Sequence, residues 1–457
     1  MGITSRNILI TLRAGPESAK NLALRFGVNV STMSRQLNKL GDQVIKAAAG
    51  RSTLWYAART IAGVPNQHIP IYRVNRQGHA EQFATLTPVF PEQSYVVKYQ
   101  RAANDTEWRH YMSLPWWMSD MRPQGFLGRI YAQSLVLRGV VTQADPIKWQ
   151  EDDVLRVLIN EPAEHVGNLL IGEYAYQQWL ESQPSASLNR TAIAARADAI
   201  AAGEHFDSSA KGEQPKLLAT VNKQPSIIKF SGRLHARQSN ANAENIVARR
   251  WADLLFAEAH AARAMNAVQP AIAAHNTSFE TANRVFMQSQ RFDRIPPRGR
   301  VGVVSLQSLD LEFVGQGQTS WPELTAALCA ENVVSEQAQL QATIAWAFGQ
   351  LIGNTDMHLG NLSVLHEGRR PYQLAPVYDM LPMHYAPNTS GDMKNDVYRP
   401  KLNSYVRQVH WLAALAMAHE FWPAVINDSS ISEGFREIAR QQYAVVQAFA
   451  ETINRMA

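Results

Sequence analysis

The block LIGNTDMHLGNLSVLHEGRRPYQLAPVYDML, residues 351–381, constrains this chain more than any other stretch. An apolar segment leads into Asp356, Asn361 follows five positions later, and Asp379 closes the strand-like run Leu374–Tyr378 eighteen residues beyond Asn361. One carboxylate can orient and deprotonate a hydroxyl, while a carboxamide and a second carboxylate can hold a hard divalent cation. Taken alone, an Asp with an Asn at +5 is a weak signal, because a loop Asp and Asn bonding to local backbone produce the same pattern. Its weight comes from what lies upstream and in what order.

In Ile227-Ile228-Lys229-Phe230 a lysine is set among apolar residues of a strand, which is unfavourable unless its ammonium finds an anion. About thirty residues on, ENIVARRWADLLFAEAHAARAM reads as an amphipathic helix, with Glu258 near its middle as the partner for Lys229 and Glu244 as its competitor. Before the strand, FDSSAKGEQPKLLATV is a polar, Gly-containing turn whose backbone and Lys216 suit phosphate. Lysine, helix glutamate, catalytic Asp356, and Asn361 and Asp379 for magnesium are the working parts of kinase phosphoryl transfer, in kinase order.

The set resembles the HipA-like serine/threonine protein kinases, toxin kinases of bacterial persistence modules. Four stretches carry the resemblance: Ser209–Lys216, Gln290-Arg291-Phe292-Asp293-Arg294 followed by Ser305-Leu306, Asp356-Met357-His358-Leu359-Gly360-Asn361, and Leu374–Asp379. The resemblance implies Asp356 as the catalytic base and Asn361 and Asp379 as Mg2+ ligands. It gives Lys229 and Lys216 to the ATP phosphates, with Glu258 holding Lys229, and Gln290, Arg291 and Phe292 to the adenine hinge. Ser209, with Ser208 beside it, matches a loop serine whose autophosphorylation inactivates relatives. Lys211 and Glu213 replace small residues, and Gln290 stands where relatives often carry an acid. His358 is read as a structural histidine of the loop.

The 457 residues suggest about three units at roughly 150 residues each. The net charge of +5 is unevenly spread: residues 1–60 carry nine bases and only two acids, leaving the rest slightly acidic. Such a basic unit suits double-stranded DNA. Helices are expected over 5–13, 19–26 and 30–40, the last with Val30, Met33, Leu37 and Leu40 inward, followed by a hairpin around Ala49-Gly50-Arg51. This is the pattern of a winged helix-turn-helix. Ser31, Thr32, Ser34, Arg35, Asn38, Lys39 and Arg51 are the expected DNA-contacting residues. A DNA-binding domain fused to the kinase most resembles the single-gene subgroup known as HipH or YjjJ.

The expected architecture is α+β: a winged helix-turn-helix (1–62), an N-terminal kinase lobe with β-sheet and extra helices (63–295), and a mostly helical C-terminal lobe with the catalytic loop (296–457). Within it a β-meander is read near 71–100, one long helical stretch over about 147–181, and a flexible-looking part within 182–214. The single Cys329 excludes an intramolecular disulfide, and no apolar run approaches the ~18 residues of a membrane span. The expectation is a cytoplasmic protein using ATP and Mg2+, with a protein substrate bearing Ser or Thr, DNA, and a possible antitoxin as partners. The alternatives are a transcription regulator whose kinase-like domain senses a ligand without turnover, a small-molecule kinase, and, ranked last, a DNA-processing enzyme with Asp356 and His358 as metal ligands.

Overall fold

The computed structural model describes residues 4–49, 52–102, 105–161, 164–203, 214–234 and 243–456. The chain forms two compact units: residues 1–124 with 128–183, and residues 125–127 with 184–457.

The first unit begins with helices α1 (Ser5–Ala14), α2 (Ala19–Phe26) and α3 (Val30–Lys39). Each starts on a side-chain cap: Thr4, Ser18 and Asn29 accept from the amides of Asn7, Asn21 and Thr32. Gly27, at φ +66°, ends α2 in the left-handed conformation and sets the tight turn into α3. Ile8, Leu12, Leu22, Met33 and Leu37 meet in the core of these helices. Val30, expected to face inward, is the first residue of α3 and is 47% exposed: the apolar stripe of this helix starts at Met33.

Strands β1 (Val44–Ala49) and β2 (Ser52–Ala57) pair in an antiparallel hairpin. Strand alternation divides its side chains between two cores. Val44 and Trp55 join the helices, while Ile45, Ala47 and Tyr56 pack on Val89 and Val96 of the following sheet. That sheet comprises β3 (Ile69–Val74), β4 (Ala80–Val89), β5 (Ser94–Ala102), β6 (Asp105–Tyr111) and β7 (Leu169–Ile171), in the order β6-β5-β4-β3-β7, all antiparallel.

After α4 (Gly125–Leu137), the single helical stretch read over 147–181 is broken into α5 (Glu151–Asn160), β7 and α6 (Gly172–Glu181). Gly167 and Gly172 take φ +80° and +85°, and between them the apolar triplet Leu169–Ile171 is buried as an edge strand against β3. Asp152 on α5 receives bonds from Arg59 and from the Tyr95 hydroxyl, tying that helix to the sheet.

In the second unit, α7 (Arg190–Gly203) forms within the stretch 182–214, of which residues 204–213 lie outside the described residues. Its alanines favour helix, and Ile193, Ala194 and Ala197 pack on Leu217, Ile228, Phe230 and Phe286 of a four-stranded sheet. The sheet runs β10-β11-β9-β8, from β8 (Lys216–Val221), β9 (Gln224–Phe230), β10 (Asn276–Thr281) and β11 (Arg284–Gln290), with the long helix α8 (Ala243–Val268) inserted between β9 and β10.

Short strands β12 (Arg294–Ile295), β13 (Gly299–Arg300) and β14 (Val303–Ser305) lead to α9 (Leu306–Phe313), α10 (Trp321–Ala330) and α11 (Glu336–Ile352). Strands β15 (Ser363–Leu365) and β16 (Gln373–Leu374) complete a small sheet with β14. Helices α12 (Gln408–Asn427) and α13 (Glu433–Asn454) end the chain. Trp411, Phe421 and Trp422 of α12 are fully buried, with Trp411 edge-on to Trp346 and Phe421 edge-on to Phe348 of α11. The molecule mixes helix and sheet.

Candidate active site

Lys229 lies near the end of β9, and the antiparallel register sets Lys216 of β8 directly opposite it. Opposed residues share a sheet face, so two ammonium groups point the same way, an unfavourable arrangement unless anions face them. Glu258, near the middle of α8, provides one: Lys229 Nζ donates to its Oε1 at 2.6 Å and its Oε2 at 2.8 Å. Asp379 provides another, with Oδ1 2.6 Å from the same Nζ. Lys229 is 6% exposed and Glu258 2%, whereas 30% of the Asp379 side chain remains open, so this carboxylate can still reach a ligand. The side chain of Glu244, the competitor, lies outside the described residues.

Burial alone would discharge Lys229, but Asp379 and Glu258 reverse that and raise its pKa above the ordinary lysine value. Burial would likewise raise Asp379, but Lys229 and Lys216 outweigh it and pull the carboxyl down to about 2, fully ionised at neutral pH. Glu258 is shifted upward: burial dominates, and Lys229 offsets it only in part. Asp379 sits at φ +53°, a strained conformation for a residue with a Cβ, which the surrounding fold holds in place.

The catalytic-loop candidates follow α11. Gly353, at φ +74°, terminates that helix and turns the chain into the loop. Asn361 Nδ2 donates to the carbonyl of Asp356 at 2.8 Å, which locks its carboxamide and leaves Oδ1 as its acceptor face. Asp356 itself is exposed. His358 closes a local turn, its Nδ1 accepting from Gly360 N, while its carbonyl accepts from Trp321 Nε1. The Tyr378 hydroxyl donates to the Gly360 carbonyl and stands 2.8 Å from Ser363 Oγ.

Sequence reasoning missed Asn354. It is 2% exposed, accepts from Asp356 N at 3.1 Å and makes a longer 3.4 Å contact to the Asp379 carbonyl, bridging the two acidic positions. Its place two residues before Asp356 was the available signal.

At the hinge candidates, Gln290 N donates to His275 O and Arg291 N to Pro225 O, so these two amides are already engaged within the sheet region. The Arg291 guanidinium forms a paired bond to Asp293, and Phe292 stacks on Tyr378 at 6.1 Å. Ser208 and Ser209 lie outside the described residues, as does Arg51. In the first unit, α3 exposes Ser31, Arg35, Asn38 and Lys39, with Thr32 and Ser34 half-buried.

Comparison with known proteins decides the family. Residues 208–449 match the HipA-like C-terminal domain, and residues 65–180 match the middle domain of YjjJ-like toxins. Toxin YjjJ of Escherichia coli K12 is 37% identical over 453 residues, covering 97% of this chain and 98% of that protein. The chain belongs to the HipA-like toxin family, in its YjjJ branch. A HipA solved with HipB and operator DNA, from Shewanella oneidensis MR-1, aligns with TM-score 0.48 and 12% identity over 84% of this chain and 98% of that one. The proinflammatory kinase CtkA of Helicobacter pylori aligns with TM-score 0.35 and 13% identity over 51% of this chain and 88% of its own. The HipA-like match spans every acidic and lysine candidate of the site, from Lys216 to Asp379.

The donors present suit magnesium. Asn361 Oδ1 and an ionised Asp379 are hard oxygen ligands, and Mg2+ ordinarily takes one or two such groups together with water and substrate phosphates. Among the described residues no group of three or more His, Cys, Asp and Glu gathers as a metal site.

Proposed function

We propose that this YjjJ-branch protein is an ATP-dependent serine/threonine protein kinase acting as a toxin. The observation that carries the reading is Lys229 bonded at once to Glu258 and Asp379, in a chain whose Asn361 is hooked onto the backbone of Asp356. Lys229 would turn from Asp379 to the ATP phosphates, Lys216 would add charge beside it, and Asp379 and Asn361 would take Mg2+, which neutralises charge on the transferred group. Asp356 would accept the proton of the substrate hydroxyl. Adenine would lie against Gln290–Phe292, read by groups other than the two engaged amides.

We further infer autophosphorylation at Ser209 or Ser208, and binding of double-stranded DNA by the first unit. Three capped helices, a hairpin, and the exposed Ser31, Arg35, Asn38 and Lys39 of α3 support a winged helix-turn-helix. Each face of the hairpin gives side chains to a core while Lys46 and Thr53 stay exposed, and Arg51 in the connecting turn would make the wing contact. The Shewanella HipA was solved with HipB and operator DNA, and a separate antitoxin is the further partner we propose to test. No described helix is long and apolar enough to cross a membrane, and we read the protein as cytoplasmic.

The test is incubation with Mg2+ and ATP labelled on the γ-phosphate, followed by phosphosite mapping, with Asp356→Asn as control. Label on Ser209 or Ser208 that is lost in the variant is expected. Absence of label and of ATP consumption in the presence of cell extract, with ATP binding retained, would move the ligand-sensing regulator into first place.

A further inference from the structure

Residues 397–419 contain no acid, and Arg399, Lys401 and Arg407 are exposed within them. Among these bases Leu402, Tyr405, Val409 and Leu412 are 53%, 48%, 58% and 43% exposed. Val409 and Leu412 lie on the face of α12 opposite its buried Trp411, Ala414 and Ala418, and Leu402 and Tyr405 sit in the irregular segment that leads into that helix. Large apolar side chains exposed together in this way mark an interaction surface rather than ordinary solvent-facing protein.

The segment is held beside the catalytic-loop candidates. Asn403 Nδ2 donates to Ser320 Oγ, the cap of α10, at 3.0 Å, and the next residue, Trp321, donates to the His358 carbonyl at 3.0 Å. Lys401 N is fixed to Gln350 Oε1 on α11, and Tyr398 packs next to Gly353, where α11 opens into the loop.

We propose that residues 399–412 form the docking surface for the protein substrate, and that the segment docking there is acidic and carries apolar side chains. This rests on the kinase reading. Three bases without an acid call for a negative partner, and four apolar side chains call for a partner that can bury them, which a nucleic-acid backbone does not do. The adjacency to Asp356 would bring a docked protein's hydroxyl within reach of the catalytic base while leaving the ATP-binding residues untouched.

The probe is a fluorescent helical peptide of about sixteen residues, glutamates with leucines at helical spacing and one serine, and its counterpart with lysine for every glutamate. Binding to the full chain is read by anisotropy. The acidic peptide is expected to bind and the lysine peptide not. Combined Arg399→Glu, Lys401→Glu and Arg407→Glu, and separately combined Leu402→Ser, Tyr405→Ser, Val409→Ser and Leu412→Ser, should each weaken it about tenfold. Binding of a fluorescent ATP analogue should be unchanged in both variants. Equal binding of the lysine peptide, unchanged affinity in both variants, or displacement of the peptide by a DNA duplex would overturn the docking surface. Failure of the unaltered protein to bind the ATP analogue would instead overturn the kinase reading.

Discussion

Lys229 shows how a single side chain can be costly alone and well placed in company. Its ammonium is buried and stays charged because two carboxylates reach it. Lys229→Met strands Glu258 without a partner, and the expected loss is about 3–5 kcal/mol of stability, measured by urea unfolding. The double variant Lys229→Met/Glu258→Leu should regain part of that stability but none of the ATP turnover, so the two effects separate in a double-mutant cycle. Asp356 behaves oppositely. It is exposed, so Asp356→Asn should leave the unfolding midpoint in place while phosphoryl transfer falls by about 10²–10⁴-fold, the usual contribution of a general base. Both residues were legible in the sequence, Lys229 as a charge inside an apolar strand and Asp356 by its spacing to Asn361. Asn354 had only its place two residues before Asp356 as a local signal, because its bridge to Asp379 closes across 25 residues and depends on the turn after α11.

At the scale of elements, α8 is bolted at three points to the helical part of its own unit. Arg250 donates to the Tyr385 carbonyl and to Asn395 Oδ1, Asp253 accepts from the amide and hydroxyl of Ser432 at the start of α13, and His260 Nε2 lies 2.7 Å from Asp428. Glu258 lies between these anchors, so its alignment with Lys229 is set by α13 and the segment before it as well as by the sheet. Asp253 is 1% exposed, and burial lifts its pKa from 3.8 to about 6, with the Ser432 bonds and the neighbouring Arg249 and Arg250 offsetting this only in part. A folded pKa above the unfolded one means that the contribution of this group is full below about pH 4 and is lost as pH rises through 6. At 1.36 kcal/mol per unit the loss is about 3 kcal/mol. Asp253→Asn carries no such charge, so its stability relative to the unaltered protein should improve from pH 4 to pH 7, as compared by urea unfolding at both values. A difference that stays flat would show that Asp253 does not titrate in this window.

At the scale of the whole molecule, the basic excess of residues 1–60 sits in the first unit and the residues proposed to handle phosphate in the second. If the first unit binds DNA, combined Arg35→Ala and Lys39→Ala should weaken binding of a duplex containing the chain's own upstream region and lower the salt slope by about one to two, since each phosphate contact contributes about 0.9. ATP turnover should not change, and an unchanged slope would place the DNA contacts elsewhere. The sequence by itself marked the N-terminal helices, the hairpin, the meander and the positions of Lys229, Glu258, Asp356, Asn361 and Asp379 as candidates, because caps, periodicities and short spacings act over a few residues. It misjudged residues 147–181, where apolar content alone does not separate helix from a buried strand, and it named no helix within 182–214, where α7 forms against a sheet. Only the tertiary structure decided that Lys229 bonds to Glu258 and Asp379 together, that the two faces of the hairpin feed two different cores, and that α8 is anchored to Ser432, 179 residues from Asp253. Those contacts join segments far apart in the chain, and their energy depends on burial and mutual geometry, which no local pattern of residues encodes.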